Sequence, residues 1–282
     1  MKHDIIGKEI IDRIGWNPSQ EDNFYQVCFE IDKIDRMGMD AERDGIMKTV
    51  YLEEVLRDYH GTGLDRRGNI VPHRYGCSGI DGTTFGPLPG SKDGKEYLFV
   101  CYGIYGDLNR TDVDYQVMLC YDTADWNGFA KPLSQEAMHH SGPADPTYKF
   151  FVYTGNTTFG VQNLEYDAES NLWFMAVYKG KKEQFANFST FVVDGSKAPR
   201  KEWLQGVEYI KKGKVLSLLD KGDRDPKNPE IRGWHDNIGA KGLCAIGDGY
   251  FYAAHGKKTK EGYAQAIAAM REGISRGCAR RV

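Results

Sequence analysis

Short runs of aromatic and β-branched residues recur along the chain, separated by turns rich in Gly, Asp, Asn and Ser. Runs of this length and composition predict β-strands rather than helices. Three glycines mark a repeat: Gly79 in SGIDGTTFG, Gly160 in FGVQNLEYD and Gly242 in KGLCAIGDG, spaced by 81 and 82 residues. After each glycine comes a first strand, a polar turn and a second apolar run: LFVCY (Leu98–Tyr102), FMAVY (Phe174–Tyr178) and FYAAH (Phe251–His255). A third run recurs as YQVCFEID (Tyr25–Asp32), YQVMLCYD (Tyr115–Asp122) and FSTFVVD (Phe188–Asp194), and a fourth as NIVPH, KFFVY and EIRGW, each just ahead of a repeat glycine. The aspartates closing these runs, Asp32, Asp122, Asp167 and Asp194, read as turn residues that accept backbone N–H groups.

Self-similarity at a fixed period sets the architecture. Four antiparallel strands per repeat describe a blade of a β-propeller. The expectation is an all-β chain: a β-propeller of roughly 81-residue four-stranded repeats with short peripheral helices. A β-sandwich or a stacked all-β domain is the alternative. The expected division is an irregular segment over 1–23, the propeller over 24–256 and a helical tail over 257–282. A period this long requires enlarged loops, chiefly Trp126–Tyr148. The repeats begin with third and fourth strands and end with first and second ones. Joining the termini would give three blades, against about four to eight in most propellers. A small ring, missing blades or assembly into a homo-oligomer would each reconcile the count. Helices are expected over Met39–His60, where Ile46, Val50, Leu52, Val55 and Leu56 form a partial stripe, from Ser134, and in the Ala-rich tail, where Ile267, Met270 and Ile274 stand at helical spacing.

Composition narrows the function classes. Apolar residues make up 40% of the chain, enough for a large core. With 37 Lys and Arg against 40 Asp and Glu, nothing draws the chain to nucleic acid or to an anionic membrane. No apolar stretch approaches the roughly 18 residues of a membrane-spanning helix. The N-terminus, MKHDIIGKEIIDRIGW, lacks the apolar core of a secretory signal. Cys28, Cys101, Cys120 and Cys244 lie in apolar runs and read as buried free thiols, which together with the absent signal predicts a cytoplasmic, reducing setting.

Antiparallel pairing places the loop leading into each first strand beside the loop leading out of each second strand. The most distinctive residues of the chain lie in those loops, HRYGCSG, YTGNTTFG and WHDNIGAKG leading in, YGIYGDLNR, YKGKK and HGKK leading out. Loops on a rigid scaffold commonly carry function. Candidate ligand-binding residues are His73, Arg74, Tyr102, Arg110, Asn156, Thr157, Gln162, Tyr178, Trp234 and His255. Aromatic ring faces beside planar polar groups suit a glycan or another small polar ligand. Candidate catalytic residues are Asp81, which breaks the repeat where the other copies have Gln162 and Cys244, Glu165 within a first strand, and His235. Two carboxylates across a channel would serve glycoside hydrolysis, and the imidazole would move a proton. The structural alternatives are turns for the polar loops and a Lys or Arg partner for Glu165. No metal site or cofactor is expected: Asp112 with Asp114, and Asp220 with Asp223 and Asp225, miss the spacing of a Ca²⁺ loop, and adjacent His139 and His140 point apart.

Across about residues 24–256 the repeat plan resembles β-propeller proteins, closest in character to carbohydrate-active ones such as glycosidases and sialidases. The segment Ser78–Phe85, SGIDGTTF, loosely resembles a sialidase Asp box, but its own Ser-to-Asp spacing is one residue too long for that motif, and it occurs once. What the resemblance implies is the fold. The expected function is glycan binding or hydrolysis on the face described; the alternative is a non-catalytic scaffold offering that face to a protein partner.

Overall fold

The computed structural model describes residues 24–29, 31–64, 67–72, 80, 82–103, 114–134, 136–155, 160–204, 212–236, 242–259, 262–272 and 279–281. Strand β1 (Tyr25–Phe29) pairs antiparallel with β2 (Met47–Tyr51), and helix α1 (Glu53–Tyr59) follows at once. Strands β3 (Thr62–Leu64) and β4 (Ile70–Pro72) pair with each other. An antiparallel meander follows from β5 (Gly82–Pro87), β6 (Glu96–Tyr102), β7 (Asp114–Tyr121) and, after the short β8 (Lys131–Pro132), β9 (Tyr148–Gly155). Strand β8 joins β2 instead. A second meander runs through β10 (Val161–Asp167), β11 (Leu172–Val177) and β12 (Thr190–Asp194). The chain then returns to the first meander: β13 (Arg200–Glu202) pairs with β14 (Gly213–Leu216), and β14 lies parallel to β9. A small ladder of β15 (Asp223–Arg224) and β16 (Arg232–Gly233) precedes a four-stranded sheet of β17 (Leu243–Gly247), β18 (Tyr250–Thr259), β19 (Gly262–Glu272) and β20 (Ala279–Arg281).

The sheets stack face on. Side chains alternate across a strand, and β6 shows the consequence. Its Leu98, Val100 and Tyr102 enter one core, shared with β2 and α1, while Tyr97, Phe99 and Cys101 enter a second, shared with β10, β11 and β12. Strand β11 repeats the plan: Trp173, Met175 and Val177 join the second core, and Leu172 and Phe174 a third, with Trp234 and Phe251. Strands buried on both faces carry unbroken apolar runs, which is why LFVCY and FMAVY were so legible. The first strands β5, β10 and β17 lie side by side, with β10 against both others.

The all-β expectation is met, with α1 the one α-helix among the described residues. The ring is not: no closed barrel or propeller forms among the described residues, and the architecture is an open series of stacked sheets. The expected helix over Met39–His60 shrinks to α1, because Thr49, Val50 and Tyr51 are β-formers and close the open side of β1. From Ser134 no helix forms among the described residues; Ser134 Oγ accepts the Ala137 N–H at 3.1 Å in a local turn. The helical tail expected over 257–282 is strand at its described residues, 257–259, 262–272 and 279–281. An Ala-rich helix would leave the long β18 edge unpaired, whereas β19 satisfies it through ten cross-strand pairs, from Tyr250 with Arg271 to Thr259 with Gly262. Of the fourth segments, KFFVY lies in β9, NIVPH pairs within β3–β4, and EIRGW meets β12 through one bridge, Thr190 to Trp234. The segment 1–23 lies outside the described residues.

Candidate functional site

Register brings the two ends of each first pair together. Gly82 faces Cys101, Val161 faces Val177 and Leu243 faces Ala253. Loops leading into first strands and out of second strands therefore share one end in three sheets. Two of those ends touch. A Cβ on Gly160 would lie 2.7 Å from the Gly103 carbonyl oxygen, and one on Gly103 would lie 1.9 Å from Gln116 Oε1. Only glycine at both positions lets the backbones approach so closely.

Glu165 is the best-defined candidate at this inner edge. It is half-buried, and its Oε1 accepts the Ala245 N–H of β17 at 2.9 Å. A backbone amide thus takes the place of the expected Lys or Arg. Burial pushes the carboxyl above its ordinary value, the Ala245 amide opposes that shift, and the charge of Asp167 reinforces it. Asp167, two residues along the same strand face, is buried and committed to its turn, accepting the Ser170 N–H at 3.1 Å and the Ser170 hydroxyl at 2.5 Å. Asp122 and Asp194 hold turns in the same way, from Ala124 and Ser196.

Other candidates fare differently. Gln162 and Tyr178 are half-buried at this end, and Gln162 Nε2 donates to the Gly160 carbonyl at 3.3 Å. Tyr102 and Trp234 offer no open ring face: Tyr102 is 1% exposed and Trp234 5%, both packed into cores that need their apolar area. His235 is exposed, its ring 4.9 Å from that of Phe188. It flanks the β12 side of the sheet while Glu165 lies on β10, three inter-strand spacings away, or about 14 Å. The pair does not form a proton-transfer couple. His73, Arg74, Asp81, Arg110, Asn156 and Thr157 lie outside the described residues, and of His255 only the backbone in β18 is described. Cys101 and Cys120 are buried as expected, whereas Cys244 is exposed.

Two features were missed. One is a buried polar network under α1. Lys149 Nζ donates to Glu54 Oε1 and to both oxygens of Asp58, each at 2.7 Å, and the Tyr102 hydroxyl donates to Asp58 Oδ2 at 2.7 Å. Burial drives the Asp58 carboxyl up, and Lys149 and Tyr102 pull it back. Acids at i and i+4 of a helix and a lysine opening an apolar strand were its sequence signals. The other is a cleft of about 440 Å³ between β14 and the β15–β16 ladder, lined by residues of 197–232 together with Tyr153 of β9. Among the described residues no three His, Cys, Asp or Glu side chains gather as a metal cage, and no helix is long and apolar enough to cross a membrane. Comparison with protein-family models, curated proteins and solved structures found no match to this chain.

Proposed function

We propose that this chain is a carbohydrate-active protein of propeller-like build, acting at the inner edge where β5, β10 and β17 lie together. The observation that carries the reading is Glu165: a half-buried carboxyl whose pKa is raised by burial, on the strand between the other two. A carboxyl whose pKa burial raises above its ordinary value is the kind of group that serves as the general acid of glycoside hydrolysis. Asp81 is the second carboxylate of this reading. It directly precedes Gly82, where an added Cβ would lie 2.9 Å from Leu164 Cβ, and Leu164 directly precedes Glu165. Tyr178 supplies the ring face, and Gln162 a planar polar group. Face-on stacking of the sheets with the first strands β5, β10 and β17 side by side supports the propeller-like reading. The free thiols of Cys28, Cys101, Cys120 and Cys244 support a cytoplasmic setting.

Two observations favour a non-catalytic scaffold: Glu165 is already engaged by the Ala245 amide, and Tyr102 and Trp234 are withdrawn into the core. Glycan-array binding with turnover assays separates the two. Wild type is expected to bind a glycan, Tyr178→Ala to bind about tenfold more weakly through lost stacking, and Glu165→Gln to bind while losing turnover. Glycan binding with turnover unchanged in Glu165→Gln would remove the catalytic role; no glycan bound by wild type would overturn the carbohydrate reading.

A further inference from the structure

The cleft of about 440 Å³ has the size of a small-molecule site. Its walls come from the returning strands β13 and β14 and from the β15–β16 ladder, with Tyr153 of β9 at one side. Four cations line it: Lys197, Arg200, Arg224 and Arg232. Arg224 and Arg232 are direct cross-strand partners in the two-stranded ladder. Like charges set opposite each other in an antiparallel pair repel, and the ladder is held against that repulsion by buried Ile231 and Trp234 beside β16 and by the Asp225 N–H, which donates to the Ile231 carbonyl at 3.0 Å.

The lining carboxylates do not remove that repulsion. Glu202 accepts Arg200 Nε at 2.6 Å, while Arg200 Nη1 donates to Ser217 Oγ at 3.1 Å. Lys197 pairs with Asp194 at 3.1 Å. Asp220 pairs with Arg232, but that aspartate is 75% exposed while the Arg232 side chain is 13% exposed, so a shielded guanidinium faces a counter-ion that water screens. Arg224 has no partner among the described residues, and neither has the third lining carboxylate, Glu230. The ladder thus presents two guanidinium forks, one open and one loosely neutralised, beside the Ser217 hydroxyl.

We propose that this cleft binds a small molecule through a phosphate or carboxylate group held between Arg224 and Arg232. Arginine forks match such oxyanions by paired N–H donors, and the interaction is strongest where the guanidinium is shielded from water. An oxyanion between the two forks would relieve the cross-strand repulsion and displace Asp220 toward solvent. Arg200, fixed by Glu202 and Ser217, forms the wall behind it. Glu230 is the internal competitor, an unpaired carboxylate beside the open fork.

The cleft shares no residue with Glu165, Gln162 or Tyr178, so its ligand is tested separately from glycan turnover. Calorimetric titration of the full chain at low ionic strength would use inorganic phosphate, glucose 6-phosphate, glucuronate and, as the uncharged control, glucose. Saturable binding of a phosphate or of glucuronate, with none of glucose, is expected, and the preferred anion tells phosphate from carboxylate chemistry. Arg224→Gln lies on the exposed surface and should fold normally; it should weaken binding about tenfold, while Glu230→Gln should strengthen it. No saturable anion binding, or binding unchanged in folded Arg224→Gln, would overturn the proposal.

Discussion

At the scale of single residues, Asp58 shows how a charge can be buried at tolerable cost. It is 1% exposed, yet both carboxylate oxygens receive donors, two contacts from Lys149 and one from Tyr102. Removing one partner strands the other charge, so Lys149→Met should destabilise the fold by about 3–5 kcal/mol, read from the urea midpoint. Pairing it with Asp58→Asn should recover part of that loss, because the two side chains act as a unit. Tyr121 is the converse case. Its hydroxyl is buried beside the same acids and has no hydrogen-bond partner among the described residues. Tyr121→Phe removes an unsatisfied polar group and should leave stability unchanged or raise it by up to about 1 kcal/mol; a clear loss would show that the hydroxyl is bonded in solution.

At the scale of elements, the loop after β8 is fastened to β2 through a histidine whose protonation matters. His139 Nδ1 accepts the Ser141 N–H at 3.1 Å, so its proton belongs on Nε2, which lies 2.8 Å from Thr49 Oγ1. The adjacent His140 ring stacks on Tyr51 at 4.2 Å. Burial, with the charges of Lys131 and His140, lowers the His139 pKa below 6.5. The folded state therefore binds fewer protons than the unfolded chain between the lowered value and 6.5. This contribution to stability is fully present above about pH 6.5 and is lost as pH falls through the folded value. Denaturant midpoints measured from about pH 5 to 8 should fall on the acid side in wild type, and His139→Gln should flatten that fall. A His139 imidazole titrating at or above 6.5 by NMR would contradict the geometry.

At the scale of the whole molecule, the sheets depend on close backbone approach where the first two meanders meet. Gly160→Ala would place a methyl 2.7 Å from the Gly103 carbonyl, a contact with backbone that no rotamer change can relieve. A loss of about 1–3 kcal/mol is expected, with faster amide exchange in β10 and β5 than in β7. An unperturbed variant would mean that the two meanders are not in contact through these glycines.

Strand identity was legible wherever a run is buried on both faces. LFVCY, YQVMLCY, KFFVY, FMAVY and TFVVD became β6, β7, β9, β11 and β12 because their apolar side chains serve a core on each side. Turn aspartates were legible too, since Asp122, Asp167 and Asp194 bond to amides two or three residues away. Long-range pairing was not. Whether Met47–Tyr51 and Gly262–Glu272 are strand or helix depends on the open edges of β1 and β18, which local propensity does not record. The return of β14 to β9, and with it the arginine-lined cleft, joins segments whose contact no periodicity encodes. Burial likewise separates Tyr178, half-buried at a sheet end, from Tyr102 at the matching repeat position, which α1 covers. Sequence alone determined the strands that are buried on both faces and the aspartates that turn them, because those follow from side chains and near neighbours. Only tertiary structure decided which aromatics stay open, which acids are paired and where a cleft forms, because each depends on what a distant segment packs against.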